Sequence, residues 1–388
     1  MDQSMNILHI SYHSSPLSNL GLNDGGGLST YVHELCNVLS RENAVQVIST
    51  EYSSNKKKNN YSINTYSHLS SEASMEEKIE NIDFFYSDFI SSYTEKEITK
   101  FDIIHAHYWL SGLVARKIKQ KYNIPFVYTS HSLGLFNRDE NNVQHRISEE
   151  KKIMIEADSI TASSYFELNF INKHYDIPKS KIINITPGVN KNIFFPNKEY
   201  KTSGKKKIIC VGRIQEQKGQ HLVLNFMKLL DKLNIDYHIY FVGEPSGERG
   251  LQYFQKIKKE IKENEFSNRS TFLGSLSQDS LARELRDSDL LLHTSEFETF
   301  GLIAIEANAC GVPVLTINQG SMNEIVSNNI NGFITNDFIN DEIIEFIKYQ
   351  FKNDQELILI KKKSFEKSKE FLWEKTGEDI SKLYKNLV

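Results

Sequence analysis

Short apolar segments alternate with longer helical patterns along the chain, and this alternation occurs in two successive series. In the first series, apolar segments predict buried strands at 5–11, 44–50, 101–107, 124–130, 159–163 and 181–187. Helix-length segments separate them at 28–41, 82–99, 110–122, 142–157 and 164–175. Because strands that alternate with helices form parallel sheets covered on both faces, this series predicts a Rossmann-like α/β domain.

The alternation restarts after a polar segment, residues 194–207, which carries Pro196 and Gly204 and is typical of a linker between domains. The second series predicts strands at 205–213, 236–244, 269–275, 288–295 and 312–318. It predicts helices at 219–233, 248–264, 277–287 and 301–310, followed by a charged helical end at 339–388. We therefore predict two α/β domains, at 1–196 and 197–370.

Composition excludes several classes of protein. A net charge of −4 does not indicate a nucleic-acid-binding surface. The three cysteines lie far apart without a CxxC pair, which argues against a disulfide framework or a zinc site and fits a reducing compartment. The first residues lack the apolar core of a signal peptide, and no apolar stretch is long enough to span a membrane. These features predict a cytoplasmic protein.

Residues that could bind ligands or take part in catalysis cluster where predicted strands end. Open α/β domains bind ligands at the carboxyl ends of their strands. If two such edges face each other, the cleft between the domains becomes the binding site. We therefore expect function to reside in the strand–helix junctions of both domains.

Three consecutive glycines, residues 25–27, precede the first predicted helix. Glycines allow backbone amides to approach an anion, and a helix N-terminus favours negative charge. A flexible loop with a helix cap is the alternative interpretation. The nicotinamide-binding pattern GxGxxG is absent directly after the first strand, which weakens a dehydrogenase assignment.

Two cations open the second domain. Arg213 is the last residue of the segment 205–213, at the end of the strand, and Lys218 precedes the next helix. A planar guanidinium beside a mobile ammonium suits a diphosphate. The alternative is that both side chains are ordinary solvated surface cations, but their place at a strand end favours phosphate binding.

Two acidic residues flank the start of the helix 301–310. Glu298 lies in the preceding loop, and Glu306 lies about two turns into the helix. The free amides at the helix start suit phosphate, Glu298 suits sugar hydroxyls, and Glu306 suits a ribose diol. Ordinary surface acids remain the alternative on spacing alone.

In combination, these motifs resemble the retaining glycosyltransferases of family 4, which have the GT-B fold. The residues that match the family motifs are Pro187, Gly188, Val189, Arg213, Lys218, Glu298, Phe300, Gly301, Glu306, Ala309, Gly311, Pro313 and Val314. The first domain is most similar to sucrose-phosphate-synthase-like and inositol-phosphate N-acetylglucosaminyltransferase-like members, through residues 24–35, 105–112 and 146–164.

The resemblance implies transfer of a hexose or N-acetylhexosamine from a UDP- or GDP-linked sugar to a small-molecule or glycan acceptor, without a metal or other cofactor. It assigns catalysis to His131, Arg213, Lys218 and Glu298. It assigns donor binding to Gly26, Gly27, Gly243, Gly274, Phe300, Gly301, Leu302, Glu306, Gly320 and Ser321. Acceptor binding falls to Tyr108, Ser132 and Arg146, which together suit an anionic group. A C-terminal helix, 371–388, is expected to pack on the first domain.

The sequence departs from the family pattern at two places, the loop expected to bind the donor sugar and the end of the first domain. Ser321 follows Gly320 where members often have a second glycine, and Asn190 stands where many have aspartate. Three alternatives remain: a GT-B sugar-nucleotide 2-epimerase, a binding protein without chemistry, and an enzyme at the membrane surface with a lipid or polysaccharide acceptor. The basic segment 114–122 is the feature that favours membrane contact.

Overall fold

A computed structural model of the chain describes residues 4–18, 26–50, 60–66, 69, 73–136, 143–200, 202 and 204–388. The chain divides into two compact units. Unit 1 comprises Met1–Pro187 and Trp373–Val388, and unit 2 comprises Gly188–Leu372.

The described part of unit 1 contains a seven-stranded sheet whose paired strands are all parallel. Its strands are β1 (Asn6–Ser11), β2 (Ala44–Ser49), β3 (Ser62–Thr65), β4 (Ile103–His107), β5 (Phe126–Thr129), β6 (Ser159–Ala162) and β7 (Ile182–Asn184). The strand order is β3-β2-β1-β4-β5-β6-β7. This order brings the first and fourth strands together at the centre of the sheet, where His9 pairs in register with His105.

Helices cover both faces of this sheet. They are α1 (Gly27–Leu39), α2 (Met75–Glu80), α3 (Ile82–Ser91), α4 (Glu95–Ile98), α5 (Trp109–Tyr122), α6 (Val143–Glu156) and α7 (Tyr165–Tyr175). Along β1, Leu8 packs in the apolar cluster that contains Trp109 of α5, whereas its neighbour Ile7 packs in the cluster that contains Leu35 of α1. Strands buried on both faces need nearly continuous apolar sequence. For this reason the central strands of the sheet could be predicted from their apolar segments.

The C-terminal helix completes unit 1. Counted in chain order, this helix is α15 (Trp373–Lys385). Its apolar face buries Trp373, Ile380 and Tyr384 in the cluster shared with α1. Gly377 faces Val38 so closely that an added Cβ would lie 2.4 Å from a Val38 methyl carbon. The expected return of the last helix to the first domain is confirmed.

The described part of unit 2 contains a six-stranded parallel sheet. Its strands are β8 (Lys206–Val211), β9 (Tyr237–Val242), β10 (Ser270–Gly274), β11 (Leu290–His293), β12 (Val314–Ile317) and β13 (Gly332–Thr335), in the order β10-β9-β8-β11-β12-β13. Its helices are α8 (Leu222–Lys232), α9 (Gly247–Glu263), α10 (Gln278–Arg286), α11 (Leu302–Ala309), α12 (Met322–Ile325), α13 (Asp341–Phe346) and α14 (Asp354–Ser368). Ile208 and Ile209 of β8 enter separate apolar clusters, so this sheet is also covered on both faces.

Two edge strands were not predicted. β3 is a short strand of mostly exposed polar residues, so it lacks an apolar signal. β13 has only four residues and begins with Gly332, and a glycine adds no apolar side chain to the strand pattern. The segment predicted as one helix at 82–99 divides because Thr94 begins a new helix, with its side chain and Glu97 capping each other.

The division between the units also falls earlier than the composition suggested. We placed the boundary at 196, whereas residues 188–196 belong to unit 2. Val189 and Phe194 are buried in an apolar cluster of unit 2 together with Phe371. Polar composition marks the linker, but burial of these two side chains determines which unit holds the segment.

Candidate functional site

Both sheets have a point where the strand order reverses, and the candidate residues lie there. In unit 1 the reversal lies between β1 and β4, and in unit 2 it lies between β8 and β11. Open α/β sheets bind ligands beside such points, at the carboxyl ends of the strands. Each unit therefore presents a candidate binding edge of its own.

In unit 2, an ion pair joins the ends of β8 and β11. After β8 the chain passes through Arg213 and a 3₁₀ turn, Glu216–Lys218. Lys218 Nζ lies 2.9 Å from Glu298 Oε2, and both side chains are partly buried. Gln220 donates a hydrogen bond of 2.9 Å to the backbone carbonyl of Arg213, which holds this turn in place. The two predicted cations and the predicted acid thus occupy one edge of the sheet.

His293 is a member of this group that sequence reasoning missed. It ends β11, is almost fully buried, and its Nε2 lies 3.5 Å from Glu298 Oε2. Its Nδ1 lies 3.0 Å from the Thr316 hydroxyl. The available signal was an imidazole at the end of the apolar segment "LLLH", directly at the carboxyl edge of a strand.

Glu298 is held as a carboxylate by its neighbours. Burial by itself raises the pKa of this carboxyl, but the charge of Lys218 and the nearby His293 imidazole, 3.5 Å away, outweigh it. The net effect lowers the pKa of Glu298 far below its ordinary value. At neutral pH the side chain is therefore an acceptor suited to hydroxyl donors.

The loop before α12 packs against the Glu298 segment through Gly320 and Ser321. Gly320 has a φ of 61°, and a Cβ there would lie 2.3 Å from the carbonyl oxygen of Glu298. Ser321 is fully buried, and its hydroxyl donates to the Phe300 carbonyl at 2.8 Å. The serine that departs from the family pattern therefore ties two loops together.

The helix start that follows Glu298 depends on Gly301. This residue precedes α11 with a φ of 93°, and a Cβ on it would lie 2.3 Å from the terminal methyl of Met322. Leu302 begins the helix, Phe300 is buried before it, and Glu306 is buried further along it. The amide groups of the first turn have no partner within an α-helix, which makes this terminus suitable for phosphate oxygens.

The remaining donor-site glycines lie at the same edge of the sheet. Gly243 directly follows β9, and Gly274 ends β10. A Cβ on Gly243 would lie 2.1 Å from the carbonyl oxygen of Gly212. The lack of side chains at Gly243 and Gly274 allows neighbouring loops to pack closely, and it would also allow the backbone of these loops to approach a ligand.

In unit 1, Gly26 and Gly27 form the start of α1. Gly26 is the N-cap residue, and no described side chain bonds to this terminus as a cap. The first turn carries no acidic residue. Gly25 lies outside the described residues. This terminus is therefore electrostatically suited to an anion, as predicted from the three glycines.

Two residues at the ends of β4 and β5 have positive φ angles, which are uncommon for residues other than glycine. Tyr108 has a φ of 74° and His131 a φ of 57°. Such conformations cost energy for residues other than glycine, and they concentrate at functional sites. Both residues were predicted as site residues, and the structure brings them to adjacent strand ends.

Arg146 contacts both of the other predicted acceptor residues. Its guanidinium lies over the Tyr108 ring at 4.8 Å and donates to the carbonyl of Ser132 at 3.0 Å. Arg146 is 2% exposed, and its Nε lies 2.8 Å from Glu150, which is also buried. Glu150 additionally accepts hydrogen bonds from the Gly134 amide and the Tyr175 hydroxyl. The charge on which an anionic acceptor was predicted is therefore compensated within unit 1.

Buried imidazoles continue inward from His131. His131 Nε2 lies 3.0 Å from His107 Nδ1, and His107 Nε2 lies 2.9 Å from His9 Nδ1. Burial lowers the pKa of His9 and of His131 to about 3 and lowers the pKa of His107 well below its ordinary value. All three rings are therefore neutral at physiological pH. Sequence reasoning identified His131 but not the two strand histidines behind it.

Within the described residues, one group has the composition of a metal site: His9, His105 and His107, whose ligand nitrogens lie within 4.8 Å of one another. Neutral imidazole is a common metal ligand. However, both nitrogens of His105 lie 2.6 Å from hydroxyl oxygens, those of Tyr384 and Thr129. Both nitrogens of His107 contact other histidines. The donor atoms fit a hydrogen-bonded cluster better than a metal site.

Acid is expected to destabilise unit 1 because these imidazoles are neutral in the folded state. Above the unfolded pKa of 6.5, a buried histidine is neutral in both the folded and the unfolded state and costs no stability. Between that value and the folded pKa, about 3 for His9, only the unfolded state binds the proton. Acid therefore favours unfolding in this range. Each such group lowers the free energy of unfolding by about 1.4 kcal/mol per pH unit in that window. Urea unfolding at about pH 7.5 and about pH 5.5 measures this loss.

Tryptophan fluorescence isolates the relevant unit because both tryptophans, Trp109 and Trp373, are buried in unit 1. The His9→Phe variant should show a smaller loss between the two pH values than the unmodified protein. Equal unfolding midpoints at both pH values would contradict the neutral cluster.

The basic helix α5 does not present a uniform cationic face. Arg116 pairs with Glu149 and Glu156, and Lys119 pairs with Asp158. Lys117 pairs with Asp83. Among the described residues, none of the helices combines the length and apolar character required to cross a bilayer.

Comparisons with known proteins place these features in a family. The family model described as "Glycosyltransferase Family 4" matches residues 25–192, and the model described as "Glycosyl transferases group 1" matches residues 191–363. The D-inositol 3-phosphate glycosyltransferase of Corynebacterium urealyticum is 25% identical over 99% of this chain and 96% of its own length.

Solved structures agree with the two-sheet architecture. Sucrose-phosphate synthase from Thermosynechococcus elongatus is similar with a TM-score of 0.85 and 22% identity, covering 99% of each chain. Anabaena HepE in complex with UDP-glucose is similar with a TM-score of 0.76 and 17% identity, covering 98% of this chain and 100% of that one. The predicted GT-B fold and the family resemblance are confirmed.

Proposed function

Because the chain belongs to the family 4 glycosyltransferases, which move a sugar from a nucleotide sugar to an acceptor, we propose that it is a retaining, metal-independent hexosyl- or N-acetylhexosaminyltransferase. The proposed donor is a UDP- or GDP-linked sugar. The similarity to HepE in complex with UDP-glucose supports a UDP-linked donor. The proposed acceptor is a small molecule with a free hydroxyl and an anionic group.

The contact between Lys218 and Glu298 carries this proposal. The ammonium group of Lys218 has three donors, of which one is directed to Glu298 at 2.9 Å. Arg213 lies five residues earlier in the same turn, and α11 begins beside Glu298. Two cations and a helix start suit a diphosphate, while the adjacent carboxylate suits the hydroxyls of the attached sugar.

The reaction proposed for this site breaks the bond between the anomeric carbon and the diphosphate oxygen. The acceptor hydroxyl oxygen forms the new bond on the same face, and its proton passes to the departing phosphate. Arg213, Lys218 and the first amides of α11 would stabilise the charge that develops on the leaving group. Glu298 would orient the sugar, so the proposed mechanism requires no covalent bond to the protein.

The proposed anionic acceptor rests on similarity to the D-inositol 3-phosphate glycosyltransferases, and the grouping of Tyr108, Ser132 and Arg146 marks where the acceptor would bind. Because Glu150 already compensates Arg146, we propose that Arg146 acts mainly by positioning Ser132 and Tyr108. In this interpretation, the hydroxyl groups of the two positioned residues contact the acceptor directly.

A panel of nucleotide sugars tests the proposal. Purified protein is incubated with each donor, with and without inositol phosphates, sugar phosphates and their neutral parents, and nucleoside diphosphate release is measured. We expect release that depends on the acceptor, persists with a chelator, and yields an α-linked product from an α-linked donor by NMR. Inversion at the anomeric carbon would contradict retention. Free 2-epimeric sugar released without acceptor would instead support the epimerase alternative.

The two glutamates should separate in a binding experiment. Glu306→Gln is expected to weaken binding of sugar-free UDP or GDP by about tenfold or more, because a charged acceptor to the ribose diol is lost. Glu298→Gln should not weaken it, because this change removes only the competing partner of Lys218. Isothermal titration calorimetry with the nucleoside diphosphate measures both constants.

Glu296→Gln provides the matched control, since Glu296 is exposed and lies two residues before Glu298. It should bind the nucleotide like the unmodified protein. Equal losses in the Glu298 and Glu306 variants would contradict the proposed division between sugar and ribose.

A further inference from the structure

Three imidazoles form a continuous hydrogen-bonded series in unit 1, which we call the histidine chain: His9 on β1, His107 at the end of β4, and His131 after β5. His9 Nδ1 lies 2.9 Å from His107 Nε2, and His107 Nδ1 lies 3.0 Å from His131 Nε2. His9 and His107 are completely buried. The histidine chain thus connects the interior of the sheet with His131 at the carboxyl edge of the sheet.

The neutral state of the rings limits the possible arrangements of hydrogen atoms. Each neutral imidazole has one N–H group and one nitrogen lone pair. Every contact in the chain requires one donor and one acceptor. Only two arrangements satisfy both contacts, one in which all N–H groups are directed from His9 toward His131 and one with the opposite direction.

The inner end of the chain distinguishes these arrangements. His9 Nε2 is buried and has no hydrogen-bond partner among the described residues. The direction from His131 toward His9 would place an N–H group on this atom, away from any acceptor. The direction from His9 toward His131 leaves only a lone pair there, which neighbouring ring C–H groups can approach. Buried N–H groups without acceptors are rare in proteins, so the second direction is favoured.

We propose that His9 and His107 are positioning residues that hold His131 as the tautomer with its hydrogen on Nδ1. In this arrangement His9 Nδ1 donates to His107 Nε2, and His107 Nδ1 donates to His131 Nε2. His131 then acts at the strand edge as a hydrogen-bond donor through Nδ1, directed to an oxygen of the bound sugar or acceptor. This last step rests on the proposed function, whereas the tautomer itself does not.

The left-handed backbone of His131 is consistent with this role. The residue has a φ of 57°, and its ring also contacts the Tyr31 ring edge-on at 4.9 Å between centroids. Backbone strain, ring packing and the contact to His107 together restrict the orientation of this imidazole. A ring held this way offers a donor of defined direction to a ligand.

The test is a long-range ¹H–¹⁵N correlation spectrum of histidine-labelled protein without substrate at neutral pH. We expect His131 and His107 to show the protonated Nδ1 pattern. The protonated Nε2 pattern on His131 would overturn the proposal. Metal content near one equivalent, with chelator-dependent shifts of His9 and His107, would also overturn it, because a metal would replace these hydrogen bonds.

Two variants of His107 separate positioning from packing. His107→Asn places an amide donor near the original Nδ1 and should retain the Nδ1–H form of His131. His107→Phe fills the space without a donor, and His131 should change to the tautomer mixture of free imidazole. An unchanged His131 tautomer in His107→Phe would overturn the role of His107. The exposed His174→Phe variant is the matched control and should leave the His131 signals unchanged.

Activity provides the second measurement. Loss of one oriented hydrogen bond should reduce kcat/KM by about five- to tenfold in His107→Phe, and His107→Asn should lose less. If the tautomers behave as expected but kcat/KM is the same in both variants, His131 does not contact the substrate. That result would contradict the proposed site of His131 while leaving its tautomer established.

Discussion

Replacement of Arg146 by alanine is expected to destabilise unit 1 by about 3–5 kcal/mol, because removal of one partner leaves a buried charge uncompensated. Arg146 is 2% exposed and Glu150 is completely buried, with 2.8 Å between Arg146 Nε and Glu150 Oε1. The same change removes a hydrogen bond to the Ser132 carbonyl and the contact with the Tyr108 ring. Urea unfolding followed by fluorescence of Trp109 and Trp373 measures the loss within unit 1.

An exposed ion pair in the same unit provides the control for this measurement. Arg41 lies 3.1 Å from Glu374, and each side chain is 56% exposed. Arg41→Ala should change the free energy of unfolding by less than about 1 kcal/mol. The double variant Arg146→Met with Glu150→Gln should recover part of the stability, because it leaves no unpaired charge. A loss below about 1 kcal/mol in Arg146→Ala would show that Glu150 does not depend on this partner.

The same variants address the acceptor. If Arg146 acts by positioning Ser132 and Tyr108, Arg146→Lys should fold better than Arg146→Ala yet still raise the acceptor KM, because an ammonium lacks the planar guanidinium that contacts both residues. The donor KM should change little. A folded Arg146→Lys variant with an unchanged acceptor KM would remove Arg146 from acceptor recognition.

Lys218→Ala is expected to reduce kcat/KM by about ten- to one-hundredfold. The change removes a charge-assisted contact to the leaving diphosphate, typically worth about 1.5–3 kcal/mol. It also leaves the partly buried Glu298 carboxylate without the ammonium that lies 2.9 Å away. Arg213→Ala should have an effect of similar size. Steady-state release of nucleoside diphosphate in the presence of an acceptor measures both.

Lys259→Ala serves as the control, because Lys259 is a surface lysine of unit 2 with its side chain 75% exposed. It should retain full activity. Circular dichroism should confirm that Lys218→Ala retains the fold of the unmodified protein. Normal transfer by a folded Lys218→Ala variant would exclude Lys218 from the diphosphate site and leave its contact with Glu298 as a structural ion pair.

A double-mutant cycle distinguishes the two roles of Lys218. If its main role is to hold Glu298, the Lys218→Ala and Lys218→Ala/Glu298→Gln variants should have similar activity. If it binds diphosphate while Glu298 binds the sugar, each change should lower activity through its own ligand contact. Because the two side chains lie 2.9 Å apart, the losses should not be strictly additive, but the proposed mechanism predicts that the double variant is less active than Lys218→Ala.

Most of the fold follows from local sequence because parallel strands buried on both faces require apolar runs. The segments "NILHIS" and "VPVLTIN" therefore identify their strands without tertiary information. The edge strand β3 escaped prediction because its residues are mostly exposed and polar, whereas β13 is largely buried but has only four residues and begins with a glycine. The placement of Val189 and Phe194 in unit 2 likewise depends on packing, which composition does not report.

The sequence by itself determined the two α/β series and the glycine, lysine and glutamate motifs, because these depend on periodicity and on residues close together in the chain. Only the tertiary structure decided which charges face each other. The residues around Arg146 in the sequence would be the same whether it bound an anion or paired with Glu150. His9 and His107 are far apart in the sequence, and only the sheet places them in contact. Since parallel pairing joins residues of distant segments, such contacts depend on strand order and register, which no local pattern specifies.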